Sequence, residues 1–341
     1  MKKSSLVIGV AAAAFAMVAI VSGASAQDTK ISGRMYADFS NIDNTVDGVE
    51  AAPSGTGFDI KRLYIGIDHS FNDMFSANVT TDFQYKSEIS STEIYLKKAY
   101  LQAKFNDAFV VRVGATDMPW VPYAEDIYGY RYVENTVADR VKVATSADWG
   151  LHASGKFGGN FSYAVAAVNG AGYKNPTRSK GMDFEGRLSA KFDQWNFGIG
   201  GYTGKLGQEV AGVATPNTAT RVDALAAYVG ERGRIGVEYF AANDYSAALV
   251  KDPLKEDKAD GYSVFGSYRL TPVYTVFGRA EEVKPSKTLS PSKKDQYYNA
   301  GVSFAAFKGV SFAAVIKHDE VTSIGHKTTN NEIGIWTEVR Y

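Results

Sequence analysis

Alternation at a period of two runs through this chain from about residue 30 to its last residue. In "FSANVTTDFQY", Phe75, Ala77, Val79, Thr81, Phe83 and Tyr85 alternate with Ser76, Asn78, Thr80, Asp82 and Gln84. In "DFEGRLSAKF", Phe184, Gly186, Leu188, Ala190 and Phe192 alternate with Asp183, Glu185, Arg187, Ser189 and Lys191. Successive side chains of a strand point to opposite faces, so each segment has one apolar face and one polar face. After the N-terminal leader, no apolar run approaches the roughly 20 residues that a membrane-crossing helix needs. Such a chain is either soluble or spans a membrane as a closed barrel, the other structure that satisfies every backbone group in lipid.

The connections decide between the two. Short ones (FND, NDA, GGN, DQ, ERG, LTP, AFKG) alternate with longer ones near 41–57, 170–181, 204–219, 244–258, 284–294 and 319–329. Short turns at one rim, longer loops at the other and an even strand count are the pattern of an outer-membrane barrel. A β-sandwich does not sort its loops by parity. The expected fold is all-β, a transmembrane antiparallel β-barrel of about 16 strands over residues 27–341.

The first residues agree with that destination. Lys2 and Lys3 precede an apolar run from Leu6 to Val21 and the sequence "SGASAQ". This order predicts a signal peptide over residues 1–26, cleaved between Ala26 and Gln27, rather than a retained helix. Export places the short turns in the periplasm and the barrel in the outer membrane of a Gram-negative cell, in contact with outer-membrane lipid. The last segment, "NEIGIWTEVRY", puts Ile333, Ile335, Thr337, Val339 and Tyr341 on one face. It is expected to pair with "KISGRMYADFS" near the N-terminus and so abolish both sheet edges. Tyr341 would then sit in the periplasmic aromatic girdle, and a strand-final aromatic of this kind resembles the signal read by the barrel-assembly machinery.

Composition excludes several classes of chemistry. There is no cysteine, hence no disulfide and no thiolate nucleophile or metal ligand. Lys plus Arg and Asp plus Glu are both 37, so no basic field for a nucleic acid exists. No cofactor or metal is expected. "GGYTGKLG" lacks the spacing of a phosphate-binding loop. Asp148 and His152 share a face, yet four residues along a strand span about 13 Å, too far for a catalytic hydrogen bond.

One segment breaks the rhythm. From Thr116 to Ser146, "TDMPWVPYAEDIYGYRYVENTVADRVKVATS", no membrane-type strand is legible. A structureless stretch of about thirty residues in a compact fold is usually functional. It carries Asp117, Trp120, Tyr123, Glu125, Asp126, Tyr128, Arg131, Glu134, Asp139 and Arg140. Parity places Arg34, Arg62, Asp82, Lys98 and Arg112 on the inner wall, together with Asp38, Asp148, Arg187, Asp223, Glu238, Arg279 and Glu281. Charges facing lipid are costly, so these argue a wet interior. About sixteen strands enclose an aqueous channel, whereas eight fill with side chains.

The segments "FDIKRLYIGIDHSFND", "IYLKKAYLQAKF" and "DGYSVFGSYRLTPVYTVFGRAEEV" resemble the strands of phosphate-selective porins of the O and P type. The resemblance implies a homotrimeric sixteen-stranded channel whose third loop, here 116–146, folds inward and forms the constriction. It also implies anion selectivity through a ladder of arginines and a ring of lysines. No arginine ladder is legible here, and the third loop is as acidic as it is basic. The expected function is therefore passive, weakly selective diffusion of small hydrophilic solutes or ions, anions and phosphate among them, and not enzymic catalysis. Two other readings stay open at this point: a barrel hydrolase built on one of the four histidines, and a structural or adhesin barrel without an open pore. For the loop itself, the other reading is an external loop or a trimer contact.

Overall fold

The computed structural model describes residues 29–86, 91–245 and 254–341; the expected cleavage site at Ala26 and Gln27 lies outside them. Sixteen long strands follow one another: β1 Thr29–Val46, β2 Gly55–Ser70, β3 Phe75–Lys86, β4 Ser91–Asn106, β5 Phe109–Asp117, β6 Ala147–Phe157, β7 Phe161–Val168 and β8 Asp183–Phe192. The second half comprises β9 Trp195–Gly204, β10 Ala219–Val229, β11 Gly233–Asn243, β12 Lys258–Arg269, β13 Tyr274–Lys284, β14 Lys294–Phe307, β15 Val310–Ser323 and β16 His326–Arg340. Each pairs antiparallel with the next, and β16 returns to β1 in register from Arg34↔Arg340 to Val46↔Thr328. The sheet is thus closed, with no edge left to lipid. The last residue belongs to this closure. Tyr341 N–H donates to the Gly33 carbonyl at 3.0 Å, and Gly33 N–H donates to the Tyr341 carbonyl at 2.8 Å. The Tyr341 ring lies over Gly33, where a Cβ would approach it to 1.9 Å.

The apolar face of every strand points outward. Val79, Leu188, Ile199, Val222, Ile316 and Ile333 are all exposed on the outer wall, an arrangement that water would penalise and lipid rewards. Near the short turns, stacked, tilted and edge-on aromatic pairs run around the rim: Phe105 with Phe109 at 5.4 Å, Phe157 with Phe161 at 5.5 Å, Trp195 with Tyr228 at 5.4 Å and Tyr274 with Phe304 at 5.4 Å. They are placed as one aromatic girdle of a membrane barrel is. Val79→Arg is accordingly expected to cost about 2–4 kcal/mol if near the bilayer midplane, whereas Ser32→Arg, on the inner face, should fold normally. The fraction of heat-resistant barrel on a gel reads the difference, and equal defects in both variants would refute the facing.

Two connections differ from the sequence reading. The segments 41–57 and 319–329 are largely strand: β1 runs to Val46, Val49–Glu50 pairs back onto Thr45–Val46, and only Ile324 and Gly325 join β15 to β16. Above the membrane a ladder needs no apolar face, so Asn41 and Asp43, or Asp319 and Glu320, read as loop while still pairing as strand.

The densest apolar packing lies inside the barrel. Trp120, Val121, Ala124, Ile127, Tyr128, Tyr130 and Val133, all from the segment after β5, pack against Leu225, Ala227, Phe265, Phe277, Val315 and Trp336 of the wall. This internal core positions the site.

Candidate pore constriction

The chain leaves the wall at Asp117, forms helix α1 Val121–Tyr128 and helix α2 Val137–Arg140, and rejoins the wall at Ala147. Pro122 sits in the first turn of α1, where its missing N–H costs nothing. Val121, Ala124, Ile127 and Tyr128 bury one face, leaving Glu125 and Asp126 on the other. Gly129, at φ 79°, ends the helix with its N–H on the Glu125 carbonyl.

Several wall groups clamp this loop to the barrel. Trp120 donates its backbone N–H to Glu185 at 2.8 Å and its Nε1–H to Glu238 at 3.0 Å. Arg187 donates to the Pro119 carbonyl at 2.8 Å, Arg234 to the Ile127 carbonyl at 2.8 Å, and Arg221 to the Val143 carbonyl at 2.6 Å. The rings of Tyr123 and Trp120 occupy a notch over Gly198 and Gly200, where a Cβ would stand 2.5 and 2.7 Å from them. Beyond α1, Arg140 meets Glu281 at 2.6 Å, Asp295 at 2.6 Å and Asp319 at 3.5 Å. Lys317 lies between Glu134 at 3.5 Å and Glu332 at 3.2 Å. Burial alone would raise the Glu134 carboxyl, but Lys317 and Arg279 outweigh it and hold the group at about 2. That pairing therefore contributes stability above the ordinary carboxylate range and loses it as the pH falls toward about 2.

The loop divides the interior. Trp120, Tyr128, Glu134 and Arg140 lie behind it against the wall, and the inner-face charges Asp223, Glu238, Arg279 and Glu281 are buried beneath it. Tyr123 and Asp139 are half-buried, with the Arg187 guanidinium 4.2 Å from the Tyr123 ring. Open space remains on the β1–β5 side as a vestibule of about 550 Å³. Glu125, Asp126 and Arg131 of the loop border it, with Asp117 at its root; Arg34, Lys98 and Arg340 stand on the wall. Lys98 pairs with Asp117 at 2.5 Å and Arg131 with Glu125 at 2.5 Å. Burial raises the Glu125 carboxyl against the downward pull of Arg131. Asp126 is exposed. Of the remaining wall residues, Arg112 donates to Gln102 at 2.8 Å beside Tyr100, and Arg62 pairs with the fully buried Asp82 at 3.1 Å.

Two lysines escape a strict parity reading. Tyr36 pairs with Arg62 but Ala37 with Ile60, so Lys61 is an extra residue in β2. Thr80 pairs with Lys98 but Thr81 with Leu96, which makes Lys97 an extra residue in β4. Each bulge switches the inward parity, so both members of Lys61–Arg62 and of Lys97–Lys98 face the lumen. The signal was present in the sequence as charged doublets, KR and KK, inside otherwise alternating strands. Lys97 is 9% exposed, 3.4 Å from the Tyr64 hydroxyl and 4.6 Å from the centre of its ring. Among the described residues, no carboxylate lies within ion-pair distance of it.

Comparison with known proteins gives concordant results. The family described as phosphate-selective porin O and P matches residues 29–124. No curated protein matches the sequence. Among solved structures, the outer membrane channel DcaP of Acinetobacter baumannii has a TM-score of 0.67 at 11% identity, covering 92% of this chain and 97% of that one. The anion-selective porin from Comamonas acidovorans has a TM-score of 0.63 at 12% identity, covering 92% and 99%. Salmonella typhi OmpF, solved with daunomycin, has a TM-score of 0.61 at 12% identity, covering 92% and 97%. Fold and family point to channels rather than enzymes. The first five strands and the root of the inward loop, residues 29–124, thus match the phosphate-selective porin O and P family, and the whole barrel has the fold of outer-membrane porins.

Proposed function

We propose that the third loop is the constriction of this porin and that small hydrophilic solutes and ions diffuse passively past it, with weak selectivity biased toward anions. The observation that carries this reading is the charge across the vestibule: Arg34, Lys97, Lys98, Arg131 and Arg340 face Asp68, Asp117, Glu125 and Asp126, five cations against four carboxylates. Fixed charges in a narrow, partly desolvated passage act at short range and are weakly screened. Lys98 and Arg131 are matched by Asp117 and Glu125. Arg34 and Arg340 share Glu338, and Lys97 has no such match, which leaves Lys97 as the cation available to draw an anion. The protein catalyses no reaction in this reading, and it works as a homotrimer delivered by the barrel-assembly machinery after cleavage at Ala26. A trimer form is described for Vibrio cholerae OmpT, which shares the fold at 13% identity.

Reversal potentials across a salt gradient test the assignment. Asp117→Asn with Asp126→Asn is expected to move the reversal potential toward anions, and Lys97→Gln toward cations, all three substitutions leaving the barrel heat-resistant. If neither variant moves it, the narrowest point lies elsewhere in the lumen and the third loop does not set the selectivity.

A further inference from the structure

A second connection also turns inward. Between β7 and β8, Gly170 and Gly172 adopt φ of 92° and 76°, a region open to glycine at little cost. Their N–H groups donate to the buried Asp148 at 2.9 and 3.1 Å, which folds the segment back over β6. Tyr173 is then pinned at three points. Its N–H donates to the Ala147 carbonyl at 3.0 Å, its carbonyl accepts from Trp149 Nε1 at 3.0 Å, and its hydroxyl donates to Asp82 on β3. The segment therefore runs along the inside of the barrel from β6 to β3, past the short strand β5. Lys174, the next residue, is brought against the inner faces of β3 and β4. Its Nζ donates to Gln84 and lies 4.7 Å from the Tyr95 ring centre and 5.8 Å from that of Tyr173. Lys97 lies 5.9 Å from the same Tyr173 ring.

We propose that residues 169–182 form a second inward element of the pore, with Tyr173 as its anchor and Lys174 as a selectivity residue for anionic solutes. The proposal rests on the pore reading above and extends it from the third loop to the extracellular half of the channel. A solute entering on the basic side meets Lys174 first and Lys97 next, with the Tyr173 ring between them. Because the backbone of Tyr173, the residue before it, is fixed at both N–H and carbonyl, the ammonium of Lys174 is held in the passage rather than trailing into bulk water, where salt would screen it.

Planar-bilayer recordings separate the possibilities. Lys174→Glu is expected to move the reversal potential toward cations with the barrel still heat-resistant. Tyr173→Ala is expected to raise single-channel conductance, because the segment loses its anchor. Should Tyr173→Ala fail to fold, Lys174→Glu, which keeps the anchor, carries the test alone. If Lys174→Glu leaves the reversal potential unchanged while the Asp117 and Asp126 substitutions still shift it, the second element is overturned and the pore stands. An unmodified protein that gives no open steps overturns both.

Discussion

Trp120→Ala is expected to open the channel. The side chain is fully buried and fills the notch over Gly200, and its indole N–H is the hydrogen-bond donor to the buried Glu238. Truncating a core tryptophan typically costs about 3–5 kcal/mol, and here an acceptor is stranded in addition. That energy fastens the loop to the wall; the barrel itself is closed by the continuous ladder from β1 to β16. The variant should therefore keep a heat-resistant barrel while its single-channel conductance rises and its selectivity weakens. Unchanged conductance would mean that the loop does not narrow the passage.

Arg221→Leu is expected to damage the fold itself. Arg221 is 2% exposed and joins Glu185 at 2.8 Å, Asp223 at 2.9 Å and the Val143 carbonyl at 2.6 Å. Removing the cation leaves two carboxylates buried side by side, a loss of about 3–5 kcal/mol for a broken buried pair. Thermal unfolding in detergent should show it, and adding Glu185→Gln and Asp223→Asn should recover much of the loss by deleting the stranded charges. A loss below about 1 kcal/mol, the range of an exposed pair, would show that water reaches this cluster.

Much of this architecture was legible because a membrane barrel obeys one rule at every position. Leu188 must face lipid and Ser189 must not, and the same parity recurs on every strand. Closure through Tyr341 was legible for the same reason, since a barrel tolerates no edge. The inward loop declared itself by lacking that rhythm. Its packing did not, because which wall receives Trp120 depends on the two glycines of β9, residues far away in sequence that only the fold brings beneath it. Lys61 and Lys97 were missed because a bulge breaks parity locally, and a parity count carried across it assigns one member of each doublet to the wrong face. Tyr173 was invisible for a different reason. A tyrosine in a polar connection carries no periodic signal, and its partner Asp82 sits on β3, about 90 residues earlier. Parity assigns the inner-face charges to the lumen, but the burial of Asp223, Glu238, Arg279 and Glu281 depends on tertiary packing that parity does not report.

The open pore is tested most directly by single-channel recording of the purified protein in a planar bilayer under a salt gradient. A water-filled lumen narrowed by a clamped loop predicts discrete open steps, current proportional to voltage, and a reversal potential displaced modestly to the anion side. Lys97→Gln should bring that potential back toward zero. A protein that inserts as a heat-resistant barrel yet gives no steps, or steps that are strongly cation-selective and indifferent to Lys97, would contradict the passage described here.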